Sequence, residues 1–109
     1  MSDNLPLYEQ YRIAALEWVD AEAAASLLED LKSSFLAEMM GNLMASEPKM
    51  AVNRAEQEVK GSGEWRDHVT SIIEARKLAN RCKVRVEYIK MRHQEWISQE
   101  ANNRTEARL

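Results

Sequence analysis

The sequence predicts an all-α protein built as a long antiparallel helical hairpin with a short connecting helix. Its 109 residues include only three Gly and two Pro, far fewer than a turn-rich β protein needs. Apolar and Ala residues recur every three or four positions over two long stretches, which is the spacing of one face of an α-helix. Ala accounts for 14 residues. We therefore expect a thin, closely packed seam between helices and no thick core.

The first helix is predicted over about residues 6–44. Its apolar positions are Tyr11, Ala14, Trp18, Ala21, Ala25, Leu28, Leu31, Phe35 and Met39. Asp3 or Asn4 is suited to cap the first turn, and Pro6 is suited to a first helical position. Residues 20–31 are rich in Ala and Leu, so helix propensity and apolar pattern agree.

A short second helix is predicted over about residues 47–60. The apolar pattern weakens after Gly41, and the residue before Pro48 is expected to avoid helical geometry. Because this stretch has few large apolar residues, we expect it to lie against the end of the hairpin. Residues 61–63 then predict a loop in which Ser62 caps the next helix.

The third helix is predicted over about residues 64–101. Its seam positions alternate steps of three and four: Ile72, Ala75, Ala79, Cys82, Val86, Ile89, His93 and Trp96. Small residues in this seam would face the Ala-rich centre of the first helix and allow close approach. Residues 102–109 are polar and predict a frayed tail of the single helical domain. Because a long hairpin leaves its edges uncovered, we expect self-association, with a dimer as the simplest form.

Charge is distributed unequally along the chain. Residues 1–50 contain nine acids and three bases, whereas residues 51–109 contain nine acids and twelve bases. Two candidate binding surfaces follow from this asymmetry. The first is an acidic, partner-binding face of the first helix, made of Glu17, Asp20, Glu22, Glu29 and Asp30. The second is a basic stretch of the third helix, made of Arg76, Lys77, Arg81, Lys83, Arg85, Lys90 and Arg92.

The basic stretch has two interpretations, and the sequence leaves both open. Clustered Lys and Arg side chains on a helix can bind the phosphates of DNA or RNA, or another acidic partner. The same side chains can instead pair with the acidic first helix, within the chain or between subunits. The net charge of −3 favours pairing over nucleic-acid binding.

Motifs that typically carry catalysis or cofactor binding are missing from the sequence. It has no phosphate-binding Gly-rich loop, nucleophile elbow, dinucleotide fingerprint or zinc-ligand spacing. We therefore predict a protein that is not an enzyme and that uses neither cofactor nor metal. His93, and His68 with Glu64 and Asp67, are weak ligand candidates for which packing is the preferred interpretation. Cys82 is interpreted as an inert packing residue.

The predicted location is the cytoplasm. The single cysteine cannot form an intrachain disulfide, which favours a reducing compartment. The N-terminal residues have neither a basic flank nor a continuous apolar stretch, so we expect no signal peptide and no membrane anchor.

Two groups near the predicted loop each allow two interpretations. Trp65 either closes the tip of the hairpin or forms an exposed anchor for a partner. Met39, Met40, Leu43, Met44 and Met50 either form an adaptable partner surface or cap the core.

Three segments of the third helix carry a resemblance to a known group of proteins. They are Glu74-Ala75-Arg76-Lys77-Leu78-Ala79-Asn80, Glu87-Tyr88-Ile89-Lys90 and the stretch from Glu95 to Glu106. These segments look like small helical proteins of bacteriophages and prophages, which often end with a Trp followed by Ser or Thr, Ala and Arg-x-Glu. The resemblance covers about residues 65–109, with Trp96 and Arg104 at the matched positions.

The phage resemblance implies a small accessory protein that acts by binding in the cytoplasm of a bacterial cell. Genes of this group tend to lie among recombination, single-strand-handling and counter-defence genes. The implied partner is a nuclease, a recombinase or a CRISPR complex, and the most concrete version is an inhibitor whose acidic face occupies a nucleic-acid channel. Direct DNA or RNA binding by residues 76–92 and a purely structural oligomerisation module are the alternatives.

Overall fold

The computed structural model describes residues 4–108 and contains three helices. Helix α1 spans Leu7–Ser46, α2 spans Val52–Lys60 and α3 spans Gly63–Arg108. The long helices α1 and α3 form the arms of a hairpin, and α2 is the short helix that connects them. The predicted all-α hairpin is therefore confirmed. No strand occurs within residues 4–108.

Helix α1 begins directly after Pro6. The carbonyl of Pro6 accepts hydrogen bonds from the backbone N–H groups of Glu9 and Gln10, each at 3.0 Å. The sequence predicts that Pro6 lies at the start of the helix. In the structure Pro6 instead directly precedes the first helical residue, Leu7. Asn4 lies too far upstream to cap α1, and Asp3 lies outside the described residues.

The second helix starts later than predicted because a turn follows α1. The backbone N–H of Glu47 donates to the Leu43 carbonyl at 3.0 Å, and the N–H of Met50 donates to the Glu47 carbonyl at 3.0 Å. Residues 47–51 are thus a connection, and the predicted helix over 47–60 is shortened to Val52–Lys60.

Helix α3 starts where predicted and ends later. The backbone N–H of Trp65 donates to the Ser62 hydroxyl at 3.2 Å, which confirms Ser62 as the cap. The helix continues to Arg108 because no Gly or Pro interrupts it after Gly63. Residues 102–108, for which the sequence predicts a frayed tail, are helical in the structure, and every one of them is exposed.

The chain divides into two compact units. Unit 1 contains the described parts of Met1–Ala21 and Leu78–Leu109, and unit 2 is Glu22–Lys77. Each unit therefore contains a segment of α1 and a segment of α3, and unit 2 also contains α2.

The core of unit 1 is small and mostly aliphatic. Ala14, Val86 and Ile89 are buried together, and Leu7 and Trp18 pack against them. Ala21 and Ala79 are also buried in this unit. Because Ala side chains are short, the α1 and α3 segments can pack closely, as the Ala-rich seam predicts.

The core of unit 2 includes the only buried tryptophan among the described residues. Trp65 is 9% exposed, and its ring stacks on Phe35 with centroids 6.2 Å apart and planes at 16°. Trp65 therefore closes the hairpin and is not an exposed anchor. The other buried side chains of unit 2 are Ala25, Met50, Ala55, Val59 and Ile72.

The methionine group belongs to the packing of unit 2. Met50 is buried, and Met39, Met40, Leu43 and Met44 are half-buried. This favours the interpretation of the group as a cap of the core.

The predicted α3 seam is correct at six positions and wrong at two. Ile72, Ala79, Val86 and Ile89 are buried, and Ala75 and Cys82 are half-buried. His93 and Trp96 are exposed although they lie beside the first residues of α1, which do not cover them.

The predicted α1 seam also fails at two positions. Leu31 is exposed because it lies six residues, or about 240°, around the helix from the buried Ala25. Tyr11 is exposed near the open end of unit 1. The remaining predicted seam positions of α1 are buried or half-buried.

Candidate functional site

The acidic face of α1 is largely engaged by α3. In unit 2, Arg76 Nη1 lies 2.6 Å from Glu22 Oε2, and Arg76 Nη2 lies 2.6 Å from Glu29 Oε1. Arg76 Nε also donates to Glu29 Oε2 at 3.0 Å, so the Glu29 carboxylate is held by two parallel bonds. In unit 1, Arg85 Nη1 lies 3.1 Å from Glu17 Oε2.

These hydrogen bonds change the proton affinity of the groups involved. Bonding to Arg76 holds the pKa of Glu29 below its ordinary value, although desolvation opposes this shift. Hydrogen bonds to Glu29 and then to Glu22 raise the pKa of Arg76. The ion pair is therefore charged at neutral pH.

The two remaining acids of the predicted face are exposed. Asp20 in unit 1 and Asp30 in unit 2 make no side-chain hydrogen bond or ion pair with any residue from 4 to 108. The five predicted acids therefore do not form one free surface, since Glu17, Glu22 and Glu29 already bind arginines of the same chain.

The basic stretch of α3 is divided in the same way. Arg76 and Arg85 pair with the acids of α1, which agrees with the pairing interpretation. Lys90 Nζ lies 5.9 Å from the ring centroid of Tyr11, and Arg92 Cζ lies 5.9 Å from that of Tyr88. Lys77, Arg81 and Lys83 are exposed and form no ion pair within the described part of the chain.

A groove lies between the start of α1 and the C-terminal part of α3, within unit 1. We call it the end groove, and its volume is about 710 Å³. Its apolar and aromatic lining consists of Leu7, Tyr8, Tyr11, Ile89 and Trp96. Its polar lining consists of Gln10, Lys90, Arg92, His93 and Gln94.

Large aromatic side chains stand at the sides of the end groove. Ile89 is buried, whereas Tyr8 is 72% exposed and Trp96 is 57% exposed. The His93 ring stacks beside the Trp96 ring, with centroids 6.3 Å apart and planes at 17°. The groove is thus an apolar surface that no residue from 4 to 108 covers.

Sequence reasoning found only part of this site. It named Lys90 and Arg92 as binding residues, but it assigned His93 and Trp96 to the helix seam. The signal that could have identified these two residues is the extent of the two helices. The apolar spacing of α3 continues to Trp96, whereas α1 begins only at Leu7, so the last positions of the α3 pattern meet the very start of α1.

The remaining candidates are the possible metal ligands and Cys82. No group of three or more His, Cys, Asp or Glu side chains that could hold a metal ion occurs within residues 4–108. His68 stacks on Phe35 with centroids 4.0 Å apart, and its buried Nε2 has no hydrogen-bond partner among the residues that the structure describes. Cys82 is half-buried.

Among the described residues, no helix combines the length and the hydropathy needed to cross a bilayer. No model of a known protein family matches the chain, and neither a curated protein nor a solved structure shows significant similarity to it.

Proposed function

We propose that this chain acts without catalysis, by binding a protein partner in the end groove. The observation that carries the proposal is the cluster of exposed aromatic side chains around an apolar floor, with Tyr8 and Trp96 beside the buried Ile89. Exposed, contiguous apolar patches on soluble proteins often mark interaction sites. Trp and Tyr are enriched among the residues that dominate binding energy.

The end groove supports binding better than the acidic face does. A partner that used Glu17, Glu22 or Glu29 would have to compete with Arg85 and Arg76 for the same carboxylate oxygens. A partner that binds in the end groove does not have to displace these arginines from their carboxylates. Its apolar surface already faces solvent, so covering it is favourable by the hydrophobic effect.

Direct nucleic-acid binding receives less support. Arg76 and Arg85 already neutralise acids of the same chain, which leaves fewer cations for phosphates. In unit 1 that alternative would depend on the exposed cations Arg81, Lys83, Lys90 and Arg92.

The class of target is a further part of the proposal. We propose a protein of a nucleic-acid-processing system, such as a nuclease, a recombinase or a CRISPR complex, with inhibition as the most concrete outcome. This rests on the phage-like pattern of α3. One matched position of that pattern, Trp96, lines the end groove. Self-association as a dimer is proposed on the same grounds of uncovered apolar surface.

The test combines capture with site-specific cross-linking. A photo-reactive phenylalanine analogue would replace Trp96 in one variant and Tyr88 in a matched control. Tyr88 is equally aromatic and 58% exposed on α3 but does not line the groove. We expect a protein of a nuclease-treated bacterial lysate to cross-link at position 96 and not at position 88.

Two further variants separate the alternatives. Trp96→Ala should abolish capture of that protein, whereas Tyr88→Ala should preserve it, and circular dichroism should show unchanged helicity for both. Capture that survives Trp96→Ala, or that disappears on nuclease treatment and with Arg81→Glu, would overturn the proposal in favour of another surface or of nucleic acid.

A further inference from the structure

We infer that the end groove is built for an acidic amphipathic helix. This inference deepens the proposed function and rests on it, because it specifies the chemistry of the partner segment. Three features of the groove support it: the sign of its charge, the absence of a strand edge, and the helical spacing of its lining.

The charge of the end groove has one sign. Lys90 and Arg92 line it, and the polar His93 lies beside them. No Asp or Glu side chain is among its described lining residues. Lys90 and Arg92 are both exposed, and their closest aromatic contacts are the rings of Tyr11 and Tyr88, which carry no charge. Carboxylates of a partner would therefore meet positive charge at the rim of an apolar floor.

Charge of one sign around an apolar surface selects partners more than it strengthens binding. Complementary charges speed association and suppress wrong partners, since like charges brought together are repelled. A basic helix with the same apolar residues should be rejected by Lys90 and Arg92. The expected specificity is thus a difference between acidic and basic ligands of equal apolar content.

The backbone around the end groove favours a helical partner. All lining residues lie in α1 or α3, where backbone N–H and C=O groups bond within the helix. An extended peptide would need unpaired backbone groups of a strand edge, and no strand exists within residues 4–108. The groove therefore offers a partner contacts with side chains and no free backbone groups of a strand edge.

The spacing of the lining residues matches that of a helix face. Leu7 and Tyr11 are separated by four positions on α1, and Ile89, His93 and Trp96 by four and three positions on α3. Side chains in such rows form ridges, between which the apolar side chains of a third helix can pack. An amphipathic helix presents apolar residues at the same intervals of three and four.

The experiment uses three fluorescent synthetic peptides of about 18 residues, a length that can form a helix. All three carry the same Leu stripe at intervals of three and four, and their flanking positions are all Glu, all Lys or all Gln. Binding to the full chain is measured by fluorescence anisotropy. We expect the Glu peptide to bind at least about tenfold more tightly than the Lys peptide, with a ratio that shrinks as salt increases.

Two double variants assign the effect to the groove. Lys90→Glu with Arg92→Glu should reverse the order of the Glu and Lys peptides. Arg81→Glu with Lys83→Glu changes the net charge by the same amount on the same helix, outside the groove, and should leave the order unchanged. Trp96→Ala should weaken all three peptides.

The outcomes distinguish this inference from the proposed function. If the Lys or Gln peptide binds as well as the Glu peptide, and Trp96→Ala still weakens binding, the acidic specificity is wrong and the groove remains the binding site. If Trp96→Ala leaves every peptide unaffected, both the inference and the proposed function are wrong.

A second copy of the chain is the remaining occupant to test. Sedimentation of wild type and Trp96→Ala would detect it. A dimer that Trp96→Ala dissociates, and that the Glu peptide fails to displace, would overturn the inference and assign the groove to self-association.

Discussion

The two ends of α3 contain similar residues in different surroundings. Trp65, in unit 2, is 9% exposed and stacks on Phe35. Trp96, in unit 1, is 57% exposed and stacks beside a histidine that is itself exposed. Residues 91–108 are all exposed, whereas the first part of α3 contributes Trp65 and Ile72 to a core.

The difference shows that a helix pattern alone does not decide which residues form a core. Both tryptophans follow the three-and-four spacing that predicts a helix seam. Trp65 meets a ring of α1, while Trp96 lines a groove with the first residues of α1 and stays exposed there. An apolar side chain becomes core only where a second element is available to cover it, and otherwise it becomes a candidate binding residue.

Truncating the two tryptophans should separate these roles most strongly. Trp65→Ala removes a buried ring and is expected to lower the free energy of unfolding by about 3–5 kcal/mol. Trp96→Ala should change it by less than about 0.5 kcal/mol, as is usual for exposed positions. Urea denaturation followed by circular dichroism measures both. If Trp65→Ala prevents folding, Trp65→Phe supplies a milder comparison. Equal losses for the two sites would contradict the assignment.

Enlarging an alanine should sharpen the distinction between seam and surface. Ala25 is 0% exposed in unit 2, so Ala25→Leu should overpack the seam and destabilise the chain by about 1–3 kcal/mol. Ala23 is exposed two residues earlier on α1, and Ala23→Leu is the matched control. The midpoint of thermal unfolding should fall for Ala25→Leu alone. A similar fall for both variants would show that Ala25 does not lie in a closely packed seam.

Two neighbouring carboxylates should differ in how stability depends on pH. The pKa of Glu29 is lowered from an ordinary value of 4.5 by hydrogen bonding to Arg76, so its stabilising contribution is complete above that value. The contribution is lost as the pH falls through the lower pKa of the folded state. Glu29→Gln should therefore lower the urea midpoint more at about pH 7 than at about pH 3.

Asp30→Asn is the control for this pH experiment. Asp30 is exposed next to Glu29 and makes no ion pair among the described residues. The Asp30→Asn substitution should leave the urea midpoint unchanged at both pH values. Loss of stability in Asp30→Asn equal to that in Glu29→Gln would mean that the overall charge of α1 matters and the Arg76 contact does not.

The smallest effect is expected from removing the exposed end of α3. Ending the chain after Ile97 deletes only exposed residues among those described, so the free energy of unfolding should change by less than about 0.5 kcal/mol. Far-ultraviolet circular dichroism should report the loss of helical signal from the deleted residues. A clear fall in the unfolding midpoint would show that the deleted segment packs against the remainder of the chain.

The sequence was sufficient to predict the fold because its signals are local. Few helix-breaking residues, an apolar spacing of three and four, and the Ser62 cap all act within a few positions of the chain. Helix ends were less predictable, since the turn after Glu47 and the continuation to Arg108 depend on which backbone bonds form.

The candidate site was harder to predict because it depends on where one helix ends relative to another. The sequence placed Trp96 and His93 on a seam, and only the paired helices reveal that nothing described covers them. Arg76 and Arg85 were named as binding residues, yet their partners are in the same chain. Charge patterns identify such side chains without identifying which of two partners they meet.

The contact of Arg76 with two acids favours one alignment of the helices in unit 2. Alanine seams are smooth, so two helices could slide past each other by one heptad with little change in shape. Arg76 requires acids seven positions apart, and Glu22 and Glu29 satisfy this requirement. A slide by one heptad would replace one of them with Ala15 or Leu36. The guanidinium therefore adds a preference based on charge for the same register that the stack of Trp65 on Phe35 requires.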